Sequence, residues 1–374
     1  MALQPLSVIE LVAKILDKEE VFLLDIRKEE DYEDWSIEGE TVRSMNIPYN
    51  QLKNGVEDVK NKLPEHQNIY VICAKGISSQ DAVEKLEESG VDKITYVKGG
   101  MTAWSEHLEP VEIGKTKNRG TIYQFVRIGK GCLSYLIESN EEVAIVDSNR
   151  MSDVYQNFTD HKGWKIKAVI DTHLHADHIS GGPKLAEQND ATYWFPPKDD
   201  EGVLFQYEPL ENDHPIKVGD VTIDPVYSPG HTIGSTSLIV DEQYLLTGDI
   251  LFVESIGRPD LAGKADAWVD DLRSTLYERY QKLSMDLTVL PAHFSQMDEM
   301  KEDGSVQENL GSLYKKNNRL NIKDAEKFNH MVTDNLPPQP NSHEEIRKTN
   351  MGKKHPDQKE EQEMEVGPNR CAVS

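Results

Sequence analysis

The chain is poor in cysteine, in basic residues and in long apolar runs. Only Cys73, Cys132 and Cys371 occur among its 374 residues. An odd number spaced so widely excludes a disulfide framework and a cysteine-based zinc knuckle, so a cysteine that matters here acts as a thiol. Lys and Arg number 41 against 66 Asp and Glu, a formal charge of −25. That charge repels phosphate backbones and anionic membranes, which excludes nucleic acid and membrane surfaces as expected partners. No apolar stretch approaches the ~18–20 residues that span a bilayer, and the opening MALQPLSVIELVAKIL has neither a basic leader nor a small-residue cleavage site. The expectation is a cytoplasmic protein. Gly and Pro are too few for a fibrous chain, and the length suits two domains with an added tail.

Along the chain, apolar spacing predicts a helix over 8–16, a strand over 21–24, a short helix over 29–35, a strand over 69–73, a helix over 79–88, a strand over 94–97 and a helix after Gly100. This alternation is that of a parallel-sheet domain of about 110 residues. The polar stretch VEIGKTKNRG after Pro110 reads as the boundary. Beyond it the pattern changes to successive strands over 123–128, 133–138 and 143–147. Further strands over 168–171, 192–195, 236–240, 244–246 and 287–290 alternate with helices near 177–188 and 268–282, which suggests a layered sandwich. The expected organisation is 1–112, 119–300 and a helical extension with a polar tail over 301–374. From Asn335 the periodicity fades, and that tail either drapes over the second domain or moves freely.

The densest chemical signal is Thr172-His173-Leu174-His175-Ala176-Asp177-His178, where an apolar strand runs out. Alternate residues of an extended segment point the same way, so His173 and His175 share a side, and a turn brings Asp177 and His178 round to face them. His231 in SPGHT, Asp249 in TGDIL and His293 in LPAHF each follow an apolar run and a small or turn-forming residue. Together they read as a metal site at a sheet edge.

This ordered set resembles the metallo-β-lactamase superfamily over about residues 120–294, and TGDIL, SIGRPDL and LPAHF resemble its glyoxalase II and persulfide dioxygenase branch. The resemblance implies an αββα sandwich and leaves two chemistries. As in persulfide dioxygenases, one Fe(II) per chain takes His173, His231 and Asp249, with His175, Asp177, His178 and His293 around them. As in glyoxalase II, two zinc ions are held by His173, His175 and His231 and by Asp177, His178 and His293, bridged by Asp249, for thioester hydrolysis. Arg258 in GRPD, nine residues after Asp249, matches the arginine of the dioxygenase segment. Its implied work is to steady an anionic persulfide or sulfite; the alternative is a pairing with Asp260 or Glu254 that holds its loop.

Cys73 ends the strand-like NIYVIC, followed by AKGISS and a helix. The backbone N–H groups near Gly76 and Ile77, the helix dipole and the ammonium of Lys75 favour an anionic sulfur there. LLDIR, NIPY, the loop from Cys73 through Lys75, Gly76, Ile77 and Ser78, and VKGGMTAW together resemble a rhodanese-like domain over about residues 7–108. The resemblance implies that Cys73 carries a sulfane sulfur. Many thiosulfate-using members place Arg or Thr where this chain has Ser78. Cys132 reads as packing, and Cys371 as a thiol in the tail.

A persulfide-carrying cysteine joined to a site able to oxidise persulfides favours iron over zinc. The reading is therefore an enzyme of sulfide and persulfide detoxification. It oxidises a low-molecular-weight thiol persulfide with O2 to sulfite and free thiol, and the zinc thioester hydrolase is its alternative. The sequence is compatible with a homo-oligomer.

Overall fold

Ser7 and Glu10 start the fold with a reciprocal cap: the Ser7 hydroxyl accepts from Glu10 N, and the Glu10 carboxylate accepts from Ser7 N, opening helix α1 (Val8–Leu16). Val8, Leu11, Val12 and Ile15 of that helix are buried. The computed structural model describes residues 4–259, 265–334, 339, 341–368 and 372–373. Cys371 and Asp260 lie outside the described residues. The chain divides into two compact units, one of residues up to 107 with 127–130 and 366–368, the other of the remainder.

In the first unit, strands β1 (Val21–Asp25), β2 (Val42–Asn46), β3 (Ile69–Ile72) and β4 (Ile94–Tyr96) form a parallel sheet in the order β2-β1-β3-β4. Helices α2 (Glu29–Asp34), α3 (Tyr49–Asn54), α4 (Val56–Lys60), α5 (Ile77–Glu88) and α6 (Gly100–Glu106) complete it. β1 and β3 are buried along their whole length, as unbroken apolar runs in a covered parallel sheet should be. The expected α/β parallel-sheet domain is present.

The second unit holds two sheets. One has seven strands in the order β11-β10-β9-β8-β7-β6-β5: β5 (Glu109–Lys115), β6 (Thr121–Arg127), β7 (Cys132–Ser139), β8 (Glu142–Val146), β9 (Lys165–Ile170), β10 (Thr192–Phe195) and β11 (Glu208–Pro209). The other has six in the order β12-β13-β14-β15-β17-β18: β12 (Ile216–Val218), β13 (Val221–Tyr227), β14 (Thr236–Val240), β15 (Tyr244–Gly248), β17 (Thr288–Pro291) and β18 (Glu308–Asn309). A short β16 (Ile256–Gly257) pairs antiparallel with β19 (Ala372–Val373).

Helices α7 (Ser152–Lys162) and α8 (Gly182–Asn189) cover the first sheet through a core that includes Phe125, Ile145, Tyr155, Val169 and Leu185. Helices α9 (Ala265–Ser274), α10 (Leu310–Lys316) and α11 (Ala325–Thr333) cover the second through Leu245, Leu272, Leu276, Leu313 and Phe328. Helix, sheet, sheet and helix make the expected αββα sandwich.

Three expectations change. The polar stretch after Pro110, read as the boundary, begins within a strand: β5 runs into it and pairs with β6, an edge strand whose half-exposed residues carry no apolar signal. The helix expected from Asp177 begins at Gly182, because Asp177 and His178 are spent on side-chain contacts in the loop and Pro183 supplies a helix start. Of the two dispositions expected for the tail, α12 (His343–Asn350) and α13 (Gln358–Glu365) show the draped one, with Asn350 and Glu365 bonded to the second unit, and the segment is helical where periodicity had faded. No helix among the described residues is long and apolar enough to cross a membrane.

Candidate metal centre and sulfur-binding loop

Every predicted metal-site side chain in the second unit sits where a buried strand ends. Residues 171–181 follow β9, His231 follows β13, Asp249 follows β15 and His293 follows β17. β15 and β17 are parallel neighbours, so Asp249 and His293 leave the sheet at the same edge. His173, His175, Asp177, His178, His231, Asp249 and His293 are all buried. Between the histidines, Leu174 turns the other way and joins the core under the first sheet, which is the alternation expected of extended chain.

His173 Nε2 and His231 Nε2 approach Asp249 Oδ2 at 3.8 and 3.3 Å, and the three form a group able to hold one metal ion. All three atoms are buried with no hydrogen-bond partner. Buried nitrogens and carboxylate oxygens left unpaired are costly, so three of them converging on one point fit a cation there. The other ring nitrogens are engaged. His231 Nδ1–H donates to the Arg258 carbonyl at 2.9 Å, and His173 Nδ1 lies 3.0 Å from Thr172 Oγ1. A donor held on Nδ1 leaves the lone pair on Nε2, the tautomer a metal ligand needs.

The remaining predicted residues fall into two further groups, Asp177, His178 and His293 with Cys132, and His175 with Asp147 and Asp171. His293 Nδ1 lies 2.7 Å from Asp249 Oδ1 and His293 Nε2 lies 2.9 Å from Asp177 Oδ2, while His178 Nδ1 lies 3.2 Å from the Asp177 carboxylate. His175 Nε2 lies 3.2 Å from Asp147 Oδ1. His175 Nδ1 and His178 Nε2 are also buried without partners.

The electrostatics follow from burial and proximity. Burial first, and then His175, drive His173 well below the ordinary histidine value; burial also lowers His231, so both stay neutral. Burial opposes charge on Asp249, but His293, His231 and His173 hold it well below the usual carboxylate range. Burial opposes charge on His175 too, yet Asp147, Asp171 and Asp177 push it up to about 9. His293 rises well above its ordinary value against burial, through Asp249 and Asp177.

Four residues around this centre were not singled out from the sequence. Asp147, at φ 52°, accepts from Thr172 N at 2.7 Å and from Thr172 Oγ1 at 2.9 Å, tying the histidine loop to the end of β8. An Asp ending an apolar strand is a weak local signal for such a turn. Asp199 takes Leu174 N at 3.0 Å, Thr232 Oγ1 at 2.6 Å and Gly234 N at 2.8 Å, so one carboxylate joins the His173 and His231 loops. Cys132, read as packing, opens β7 with Sγ 3.5 Å from Asp177 Oδ2, in the group of Asp177, His178 and His293. Asn350, from the polar tail, bonds main-chain oxygens of the histidine loop. Arg258 is buried, and its carbonyl is what meets His231.

In the first unit, Cys73 directly follows β3 and is buried. Its sulfur accepts from Gly76 N at 3.1 Å and donates to Ser79 Oγ at 3.4 Å. Lys75 is exposed, as is Ile77, which opens α5, and Ser78 follows in its first turn. The loop rests on the start of α6: Met101 N donates to Cys73 O and Thr102 N to Ala74 O, both at 2.9 Å. That contact explains Gly76 and Gly100, where a Cβ would meet Gly99 N and Cys73 O. Gly76 has φ 81°, and a Cβ on Gly100 (φ 57°) would stand 2.1 Å from Cys73 O. Gly100→Ala is expected to destabilise the unit by about 1–3 kcal/mol and to slow sulfur transfer from Cys73. Denaturant unfolding and a sulfur-transfer assay check it; wild-type values in both would contradict the packing argument.

Residues 127–293 match the metallo-β-lactamase superfamily, and residues 8–107 match the rhodanese-like domain. The chain thus carries a rhodanese-like domain followed by a metallo-β-lactamase-fold domain. The probable metallo-hydrolase YqgX of Bacillus subtilis is 24% identical over 188 residues, 45% of this chain and 88% of that protein. A hydroxyacylglutathione hydrolase of Rhizobium johnstonii is 28% identical over 126 residues, 33% of this chain and 49% of that protein. The crystal structure of ETHE1 from Myxococcus xanthus shares the fold, with a TM-score of 0.54 at 21% identity over 62% of this chain and 99% of that one.

Proposed function

We propose that this protein is a persulfide dioxygenase with a sulfurtransferase domain, converting RSSH, O2 and H2O to RSH, sulfite and two protons. The observation that carries the reading is the convergence of His173 Nε2, His231 Nε2 and Asp249 Oδ2, buried and unpaired. Two imidazoles and one carboxylate are the donor set of mononuclear non-haem Fe(II) sites, and such an ion supplies oxygen chemistry while leaving positions for substrate. The likeness to ETHE1 of Myxococcus xanthus is of fold and is compatible with this reading.

The protein's own part is to orient and to hold charge. The Arg258 carbonyl and Thr172 Oγ1 set the two imidazole faces, Asp199 locks their loops together, and Asp249 stays anionic among histidines. The Arg258 guanidinium is assigned to the anionic sulfur of substrate or product. In the other domain Cys73 holds a sulfane sulfur as a persulfide, stabilised by Gly76 N–H. It either transfers that sulfur to the small thiol or passes it to sulfite, giving thiosulfate. The substrate is a low-molecular-weight thiol persulfide, and the setting is the cytoplasm.

The second reading is a zinc-dependent thioester hydrolase. The unpaired His175 Nδ1 and His178 Nε2 favour it, because a two-ion site needs donors beyond the three-residue group, and a hydroxyacylglutathione hydrolase is among the relatives. Metal analysis of protein purified without oxygen separates the two. About one iron per chain is expected; two zinc ions per chain with thioester cleavage would reverse the order.

A further inference from the structure

The end of the chain is built into the histidine loop. Asn350, the last residue of α12, is buried, and its amide donates to His175 O at 3.0 Å and to His178 O at 2.8 Å, while its Oδ1 accepts from Ser180 N at 2.9 Å. Both donor hydrogens and the acceptor of one side chain are thus used on a six-residue stretch. Glu365, the last residue of α13, is 1% exposed; Oε1 accepts from Ile179 N at 2.6 Å and Oε2 from Arg150 Nε at 2.8 Å. Ile346 of α12 and Met364 of α13 pack with Ile179 in a small apolar cluster. A further stretch, Ala372–Val373, pairs with Ile256–Gly257, directly before Arg258.

These contacts fall on the histidine loop itself, at two of its candidate metal-binding histidines. Two of the three groups that Asn350 engages are the carbonyls of His175 and His178. The direction of those peptide planes fixes where each Cα–Cβ bond points. The loop has no helix or strand ladder of its own between β9 and α8. Its buried carbonyls must therefore be paired from elsewhere or cost stability.

We infer that residues 341–365 are part of the metal centre, with Asn350 and Glu365 as positioning residues that aim His175, Asp177 and His178. This rests on the reading that the histidine loop holds metal, through His173 alone or through His175, Asp177 and His178 as well. A metal site tolerates errors of only about 0.5 Å in its ligands, and loss of an outer hydrogen bond typically weakens metal binding by about 10–100-fold.

The test uses the full chain with Asn350→Ala and Asn350→Asp. The aspartate still accepts from Ser180 N but donates to neither carbonyl. Cobalt(II) is titrated against a chelator, the ligand-field spectrum of the saturated protein is recorded, and circular dichroism verifies folding. The expected result is a cobalt dissociation constant raised about 10–100-fold and a shifted spectrum in both variants. Wild-type affinity and spectrum in either folded variant, even with a lowered melting temperature, would overturn the inference, since Asn350 would then only staple the tail. Hydrogen exchange on the wild type gives a readout free of substitutions: cobalt should slow exchange at Ile179 and Ser180, and unchanged exchange there counts against it. Wild-type protein that takes no cobalt would sink this inference and the proposed function together. Protein that binds metal yet consumes no oxygen would sink only the latter.

Discussion

Replacing Asp249 by Ala is expected to remove bound iron and persulfide-dependent oxygen uptake together, each by at least about 100-fold. The carboxylate has two separate duties. Oδ2 faces His173 Nε2 and His231 Nε2, and Oδ1 faces His293 Nδ1 at 2.7 Å. Alanine deletes the only anionic donor of the three-residue group and leaves His293 with one carboxylate partner of its two. Asp249→Asn keeps the volume and isolates the charge, and it should lose metal nearly as fully. Iron retained at the wild-type level in either variant would contradict the assignment of Asp249 as a ligand.

Replacing Cys73 by Ser is expected to abolish sulfur transfer, by about 1,000-fold or more, and to leave oxygen uptake with an added small persulfide within about twofold. A hydroxyl can take the place of the thiol beside Gly76 N and Ser79 Oγ, so the loop keeps its shape, but it cannot carry a sulfane sulfur. The two effects are separable because the cysteine and the three-residue metal group belong to different compact units. Sulfur transfer followed from a persulfide donor to sulfite, beside oxygen uptake, gives both numbers on one preparation. An equal fall in the two activities would show that they do not run independently.

What could be read ahead of the structure was what local chemistry controls. The histidine cluster lay at the end of an apolar run, and strand ends are where a sheet edge presents side chains to a common cleft. The loop from Cys73 to Ser78 was recognisable because its shape depends on residues close in sequence. Gly100, against which it rests, was visible in a motif, although the clash it avoids was not.

What stayed hidden depends on long-range polar contacts. Asn350 and Glu365 sit in helices with little apolar periodicity, and they matter through hydrogen bonds to a loop about 170 residues earlier in the chain. β5 was not expected within the polar boundary stretch because an edge strand needs only one partner and can remain polar. Cys132 lies near Asp177 only because β7 opens beside the site, which a lone cysteine after a glycine does not announce. The helix start at Gly182 was displaced by five residues for a similar reason: the side-chain contacts of Asp177 and His178 occupy the turn that periodicity assigned to the helix.

The central claim is oxygen chemistry at the His173, His231 and Asp249 group, and oxygen consumption by the iron-loaded, full-length protein across a panel of small thiol persulfides tests it most directly. The account predicts uptake with at least one persulfide, one sulfite formed per O2 consumed, and no uptake with the parent thiols. Absence of uptake across the panel, with cleavage of a thioester by the zinc-loaded protein, would contradict it.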